Sequence, residues 1–335
     1  MINLNRPLYD YIVKNLGAYW HKRTWDAVSN LHNDEKENQG YLGTYFIRSY
    51  IESYHIFRHN INTLMKHGYL NNDKIRILCL GSGTGGDLFG LLHVLEEIIT
   101  KPITIEVISV DGNSIAINLQ ENIFKNFWKP KSRHNITIDY RLEIFESSDL
   151  LCNYIMQFSN IDIGLSFKFL SEMLKYDENI YYKVLKTMQP ILIPNGILCL
   201  NDVVCPIETY GSGKTFIPVT LNNNIRNYIR NNSDDDRLVL LFPYCCAKNI
   251  KKCGNDICFT KFQLPLKYFS AYMRITNTKI FFDFRLFLKK GDLLSQLRPL
   301  VQCIDAKCSI SECRNMNNDE KCPHLLCSWN WTTDD

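Results

Sequence analysis

The chain has 335 residues, about twice the length of an ordinary single domain, which sets an expectation of one large domain with appendages or of two domains. Apolar residues make up 45% and charged residues 22%, which excludes a disordered chain, a collagen-like repeat and a coiled coil. The formal net charge of +3 is too small for the field of the whole chain to argue for nucleic acid.

The N-terminal segment carries Arg6, Asp10 and Lys14 among its apolar positions and has no small-residue cleavage site, so a secretory signal is not expected. No stretch reaches the ~18–20 apolar residues that a membrane span needs. The expectation is a cytoplasmic protein without a membrane partner. Pro7 suits the first turn of a helix that runs to about residue 20. A second, amphipathic helix is predicted over 42–66, where Leu42, Phe46, Tyr50, Tyr54, Phe57, Ile61 and Leu64 recur three and four apart, with Gly68 as a cap beyond its end.

From Lys74 the period shortens. Strands are predicted over 75–80, 105–110, 136–142, 161–167 and 197–203, alternating with helices over 87–99, 114–127, 150–158 and 170–189. Apolar, β-branched strands joined by helices mean a parallel sheet covered on both faces. A helix over 221–230, a strand over 238–242 and an aromatic strand over 279–288 complete the series. The expected organisation is a helical cap over 1–70, an α/β domain over 71–298 with a cysteine-containing insert at 243–278, and a cysteine-rich tail over 299–335.

The first strand of the series ends in Leu80-Gly81-Ser82-Gly83-Thr84-Gly85-Gly86-Asp87. Glycines at these positions let the backbone turn sharply and approach a ligand closely, ahead of a helix with free N–H groups. With Gly86 in place, glycine spacing alone leaves a dinucleotide open. The next strand ends in Asp111, a carboxylate at a strand tip, which is what the two hydroxyls of a ribose need.

Together these residues resemble the class I S-adenosylmethionine-dependent methyltransferase superfamily, over roughly residues 74–288. The resemblance implies a Rossmann-like seven-stranded sheet with an antiparallel last strand, under an N-terminal helical cap. It implies that Gly81, Ser82, Gly83 and Gly85 line the methionine end of S-adenosylmethionine, that Asp111 binds the ribose and that Asp149 lies by the adenine amine. Where the superfamily usually has an acidic residue, this chain has Cys79, which removes one partner of the methionine ammonium. A second glycine run, Gly211-Ser212-Gly213-Lys214-Thr215, has the back half of a nucleoside-triphosphate loop. Its first glycine is replaced by Glu208, which would repel phosphates, so no triphosphatase is expected.

Acceptor chemistry in this fold usually lies just past the fourth strand, here Ser166-Phe167-Lys168-Phe169-Leu170-Ser171-Glu172. The segment contains neither an Asn-Pro-Pro-Tyr tetrapeptide nor a cysteine nucleophile, and it names no catalytic base. Lys168 and Glu172, four apart, read as an ion pair on one helical face.

Of the 13 cysteines, most follow residue 198. Cys246, Cys253 and Cys258 in the insert and Cys303, Cys308, Cys313, Cys322 and Cys327 in the tail lie in polar surroundings. Eight thiolates would close two four-ligand sites, for zinc or for an iron–sulfur cluster. Cys79, Cys152, Cys199 and Cys205 lie on or beside apolar elements and read as free, partly buried thiols. The run Phe242-Pro243-Tyr244-Cys245-Cys246 through Cys258-Phe259, with Lys279-Ile280-Phe281-Phe282, is also similar to the mitochondrial small-ribosomal-subunit methyltransferase-like assembly family, which implies binding to ribosomal RNA.

Basic and aromatic residues interleave at Tyr19-Trp20-His21-Lys22-Arg23-Thr24-Trp25 and at Phe124-Lys125-Asn126-Phe127-Trp128-Lys129-Pro130-Lys131-Ser132-Arg133. Such runs serve either as stacking surfaces for bases or as amphipathic helices with core aromatics and solvated charges. Lys248, Lys251 and Lys252 form a third small cluster. The reading that follows is an S-adenosylmethionine-dependent methyltransferase with RNA as the acceptor. The alternatives are a protein or small-molecule acceptor, and a non-catalytic, metal-stabilised protein that keeps the fold and docks on an RNA or protein assembly.

Overall fold

Helix α1 (Arg6–Lys14) stops well short of residue 20 because Gly17 takes a left-handed φ of +69° and the Ala18 N–H turns back to the Ile12 carbonyl at 3.0 Å. The computed structural model describes residues 6–19, 34–65, 68–70, 72–209, 213–233, 237–242, 260–263, 279–294 and 297. The helix predicted over 42–66 begins earlier, as α2 (Glu35–Tyr41), whose capping box pairs Asp34 with Glu37 in both directions. A single π turn, Leu42–Phe46, joins it to α3 (Ile47–Met65).

Strand β1 (Lys74–Leu80) leads through a glycine loop into α4 (Gly86–Ile98). Then follow β2 (Thr104–Asp111), α5 (Ser114–Ile123), β3 (Asn135–Leu142), α6 (Ser148–Ile155) and β4 (Ile161–Phe167). The helix predicted over 170–189 is two, α7 (Leu170–Met173) and α8 (Ile180–Ile191), separated at Asp177, whose carboxylate accepts from the Asn179 N–H at 2.8 Å. Strand β5 (Leu192–Val203) is followed by an unpredicted hairpin, β6 (Pro206–Thr209) with β7 (Gly213–Phe216). Next come α9 (Ile217–Asn231), β8 (Val239–Phe242), β9 (Thr260–Gln263) and β10 (Lys279–Leu288). Of the second glycine run, residues 211 and 212 lie outside the described residues.

The sheet order is β3-β2-β1-β4-β5-β10-β8, with β9 paired to β10. Strands β1 to β5 are parallel, and β10 runs antiparallel to both β5 and β8. Counted without the hairpin and β9, that is the order 3-2-1-4-5-7-6 with the seventh strand reversed, the class I methyltransferase sheet that the sequence implied. Every residue of the central strand β4 is buried, because helices cover both faces of the sheet.

The cap is held on the sheet by close helix packing. A Cβ at Gly86 would lie 2.4 Å from the Phe46 carbonyl oxygen, and one at Gly90 2.4 Å from that of Tyr50, so only glycine lets α4 touch the π turn and α3. The Ser53 hydroxyl of α3 donates to the Asp87 carbonyl at 2.6 Å. One hydrophobic cluster joins α1, α3 and α4 to one face of the sheet, and a second joins α8 and α9 to the other. Among the described residues no helix is long and apolar enough to cross a membrane.

Candidate functional site

Because β1 and β2 are parallel and in register, with Leu80 opposite Val110, the glycine loop and Asp111 emerge at the same end of the sheet. The loop takes positive φ at Gly81 (+66°), Gly83 (+51°) and Gly85 (+83°), a path that a side chain would strain. The Gly83 N–H donates to Asp111 Oδ2 at 2.6 Å and the Asn113 N–H to Asp111 Oδ1 at 2.8 Å. Burial raises the Asp111 carboxyl above its ordinary range, and the N–H groups of Asn113, Gly83 and Gly112 offset part of that rise. Ser109 Oγ lies 2.8 Å from Ser82 Oγ and 2.9 Å from Gln120 Oε1, so a buried polar triangle supports the loop from the side of α5.

A cleft open to solvent lies beside the loop. Asn38, Tyr41, Gly81, Gly83, Asp111 and Asn113 line one side, and Lys168, Phe169 and Glu172 the other. A second hollow adjoins it, lined by Glu143, Ile144, Phe145, Met173, Lys175 and Tyr176. The two share Gly81, Asp111, Gly112, Phe169 and Glu172. Phe169 stands between them, seated so closely on Gly81 that a Cβ there would lie 2.2 Å from its ring.

Of the residues expected to hold a cofactor, Gly81, Gly83 and Asp111 line the cleft. Ser82 and Gly85 do not line it. The Ser82 side chain is spent on the buried triangle, and Gly85 lies against Gln120. Asp149 is not beside the cleft either. It sits in the first turn of α6, 80% exposed, and its carboxylate pairs with Lys183 of α8 at 2.9 Å. Glu143, Ile144 and Phe145, directly after β3, line the second hollow. Their position after a strand tip was the available signal.

Lys168 does not pair along its helix with Glu172. Its φ of +62° turns the side chain toward the cap, where Nζ lies 2.6 Å from Glu52 Oε2 and 2.9 Å from Ser49 Oγ. Asn201 of β5 donates to the same Glu52 oxygen at 2.8 Å, and the Lys168 N–H donates to the Asn201 carbonyl at 2.7 Å. Asp87, Glu52 and Asn201 are at most 3% exposed, and among the described residues Asp87 Oδ2, Glu52 Oε1 and Asn201 Oδ1 have no hydrogen-bond partner. Burial pushes the Asp87 carboxyl up to about 7. It also pushes the Cys79 thiol well above its ordinary value, so Cys79 is a neutral core thiol.

The zinc or iron–sulfur expectation is corrected. Among the described residues no group of three or more His, Cys, Asp or Glu side chains is placed to hold a metal, and no metal centre is assigned. Cys246, Cys253, Cys258, Cys303, Cys308, Cys313, Cys322 and Cys327 lie outside the described residues. Cys79, Cys152, Cys199 and Cys205 are free thiols, as expected. The second basic–aromatic run is also a core element. Phe124, Phe127 and Trp128 are buried, while Lys125 pairs with Glu121 at 2.6 Å and Lys131 covers the Phe127 ring at 3.4 Å. Those aromatics cannot stack on bases. Most of the first run and all of Lys248, Lys251 and Lys252 lie outside the described residues.

The chain is similar to several solved structures. A SAM-dependent methyltransferase from Methanosarcina mazei is 14% identical, with 68% of this chain and 98% of that one covered and a TM-score of 0.37. A methyltransferase from Pyrococcus furiosus is 11% identical, with 70% and 83% covered and a TM-score of 0.34. An rRNA methylase from Streptococcus thermophilus is 12% identical, with 68% and 95% covered and a TM-score of 0.31. No protein-family profile and no curated protein matches the chain. The strand order, not these distant likenesses, defines the fold.

Proposed function

We propose that the chain is an S-adenosylmethionine-dependent methyltransferase. The observation that carries this reading is the convergence of the Gly81–Gly83 backbone and the Asp111 carboxylate on one cleft, at the carboxyl ends of parallel strands where the strand order reverses between β1 and β4. The residues fit the cofactor. Asp111 accepts N–H groups at both oxygens, and a carboxylate keeps further lone-pair capacity for a ribose hydroxyl. S-adenosylmethionine would supply an electrophilic methyl group for direct displacement. The protein's own work is then alignment and exclusion of water: Asp111 and Asn113 fix one wall, Phe169 and Tyr41 dry the cleft, and Glu172, like Asp111, faces both hollows.

RNA is the acceptor we propose. Lys175 lies 4.5 Å from the Tyr176 ring, and both residues line the outer hollow, a cation and an aromatic at the mouth of the cleft. The test is transfer of labelled methyl from S-adenosylmethionine to total RNA, with total protein as the competing acceptor. Label in RNA supports the assignment, and label only in protein moves the acceptor class. One observation favours the non-catalytic reading: Phe169 rests directly on Gly81, where the cofactor would lie. No transfer to either acceptor would select it.

A further inference from the structure

Strand β3 ends the sheet with an open edge. Among the described residues it pairs with β2 alone, in an unbroken parallel register from Asn135 to Leu142. The Asn135 N–H donates to the Ile103 carbonyl and the Glu143 N–H to that of Asp111. By the two-residue period of a strand, the odd-numbered residues bond to β2, and Ile136, Ile138, Tyr140 and Leu142 turn their N–H and C=O groups outward. Edge strands are ordinarily guarded by proline, lysine, a bulge or a covering segment. This one has no proline, no lysine and no bulge, and Leu142 and Ile144 at its end are more than half exposed.

We propose that this edge is the contact between two copies of the chain, joined as antiparallel β3 strands about a two-fold axis at Tyr140. Because the outward groups belong to even-numbered residues, even faces even, and the charged residues choose among the registers left. An axis at Asp139 or at Arg141 sets like charges against each other, and one at Ile138 sets Asp139 against Thr137 and Arg141 against Asn135. The axis at Tyr140 instead sets Asp139 of each copy opposite Arg141 of the other, and Ile138 opposite Leu142. In the single chain Asp139 and Arg141 already touch at 2.8 Å on one face of the strand. Pairing turns that contact into a ladder of alternating charge across the axis.

The contact rests on the fold and not on the methyltransferase reading, yet it reaches the cleft. The same axis brings Ile136 of one copy beside Ile144 of the other, and Ile144 lines the second hollow with Phe145. The exposed Lys129, Lys131 and Arg133 come just before β3, so the basic stretch of one copy lies toward the outer hollow of the other. Each copy thereby covers the exposed apolar end of its partner's strand.

The test is sedimentation velocity on the full chain over a range of concentrations. The wild type should sediment as a dimer at roughly 10 µM and dissociate on dilution. Asp139→Arg sets arginine against Arg141 twice and should weaken association at least ~10-fold. Asp139→Arg combined with Arg141→Asp restores opposite charges across the axis and should return association to within about threefold of the wild type. Leu142→Pro removes an outward N–H and leaves the ladder to β2 whole, so it should give monomers even where a charge variant fails to fold. A wild type still monomeric at about 100 µM overturns the proposal. So does an assembly that Asp139→Arg and Leu142→Pro leave unchanged, or a double variant that associates no more tightly than Asp139→Arg alone.

Discussion

The Gly83 N–H donates to Asp111 Oδ2 at 2.6 Å, tying the loop at the end of β1 to the carboxylate at the end of β2. The bond makes Asp111 a structural part of the loop as well as its expected ligand contact. Replacing Asp111 by Ala leaves the N–H groups of Gly83 and Asn113 without their acceptor. A loss of about 1–3 kcal/mol in stability is expected. Hydrogen exchange at the Gly83 and Asn113 amides should accelerate more than at β4. Unchanged exchange at Gly83 would show that the bond does not hold the loop.

Gly81 is the most constrained position of the loop. Gly81→Ala combines a left-handed φ of +66° with a Cβ 2.2 Å from the Phe169 ring, and a loss of roughly 2–3 kcal/mol is expected. The double variant with Phe169→Ala should be more stable than the two single losses add up to, by about 1 kcal/mol, because the clash is gone and only the backbone strain remains. Strict additivity in denaturant titrations would mean that the ring and Gly81 are not in contact.

The fold was legible because its signals are local. The apolar, β-branched runs ending at Leu80, Val110 and Phe167 mark strands, and the glycines at 81, 83 and 85 mark a turn that only glycine can make. Gly17, with its left-handed φ, is a legible stop for α1. The site was less legible, because its partners meet across the chain. The spacing of Lys168 and Glu172 suggests a helical pair, yet the positive φ of Lys168 sends its amine to Glu52, 116 residues away by number. Asp149 has the right chemistry for an adenine contact, but its place in α6 turns it toward Lys183. Gln120, Ser109 and Phe169 support or line the loop with ordinary residue types in no motif.

The Glu52–Lys168 pair fastens the cap to the sheet, with side-chain exposures of 1% and 12%. Lys168→Met strands a buried carboxylate and should cost about 3–5 kcal/mol. Adding Glu52→Leu removes the stranded charge and should recover much of that loss. A double variant as unstable as Lys168→Met alone would show that the two residues do not act as a pair.

Asp87 gives stability a pH dependence of definite sign. Its carboxyl ordinarily titrates at 3.8 and does so at about 7 in the fold, chiefly because it is buried. Between those values the unfolded chain has lost the proton that the folded chain keeps, so this contribution to stability is full below 3.8 and is lost as pH rises to about 7. Asp87→Asn should abolish it. The variant's stability relative to wild type should therefore increase by a few kcal/mol between pH 4 and pH 7, at about 1.4 kcal/mol for each pH step of one. A constant difference across that range in urea titrations would place the Asp87 carboxyl at its ordinary value.

Methyl transfer by this chain requires S-adenosylmethionine to lie between the tips of β1 and β2. The most direct measurement is a crystal structure of the chain with S-adenosylhomocysteine. It should show the ribose hydroxyls on Asp111, the amino-acid end along Gly81 and the Phe169 ring moved off that glycine. A ligand bound elsewhere, with Phe169 still seated on Gly81, would contradict it.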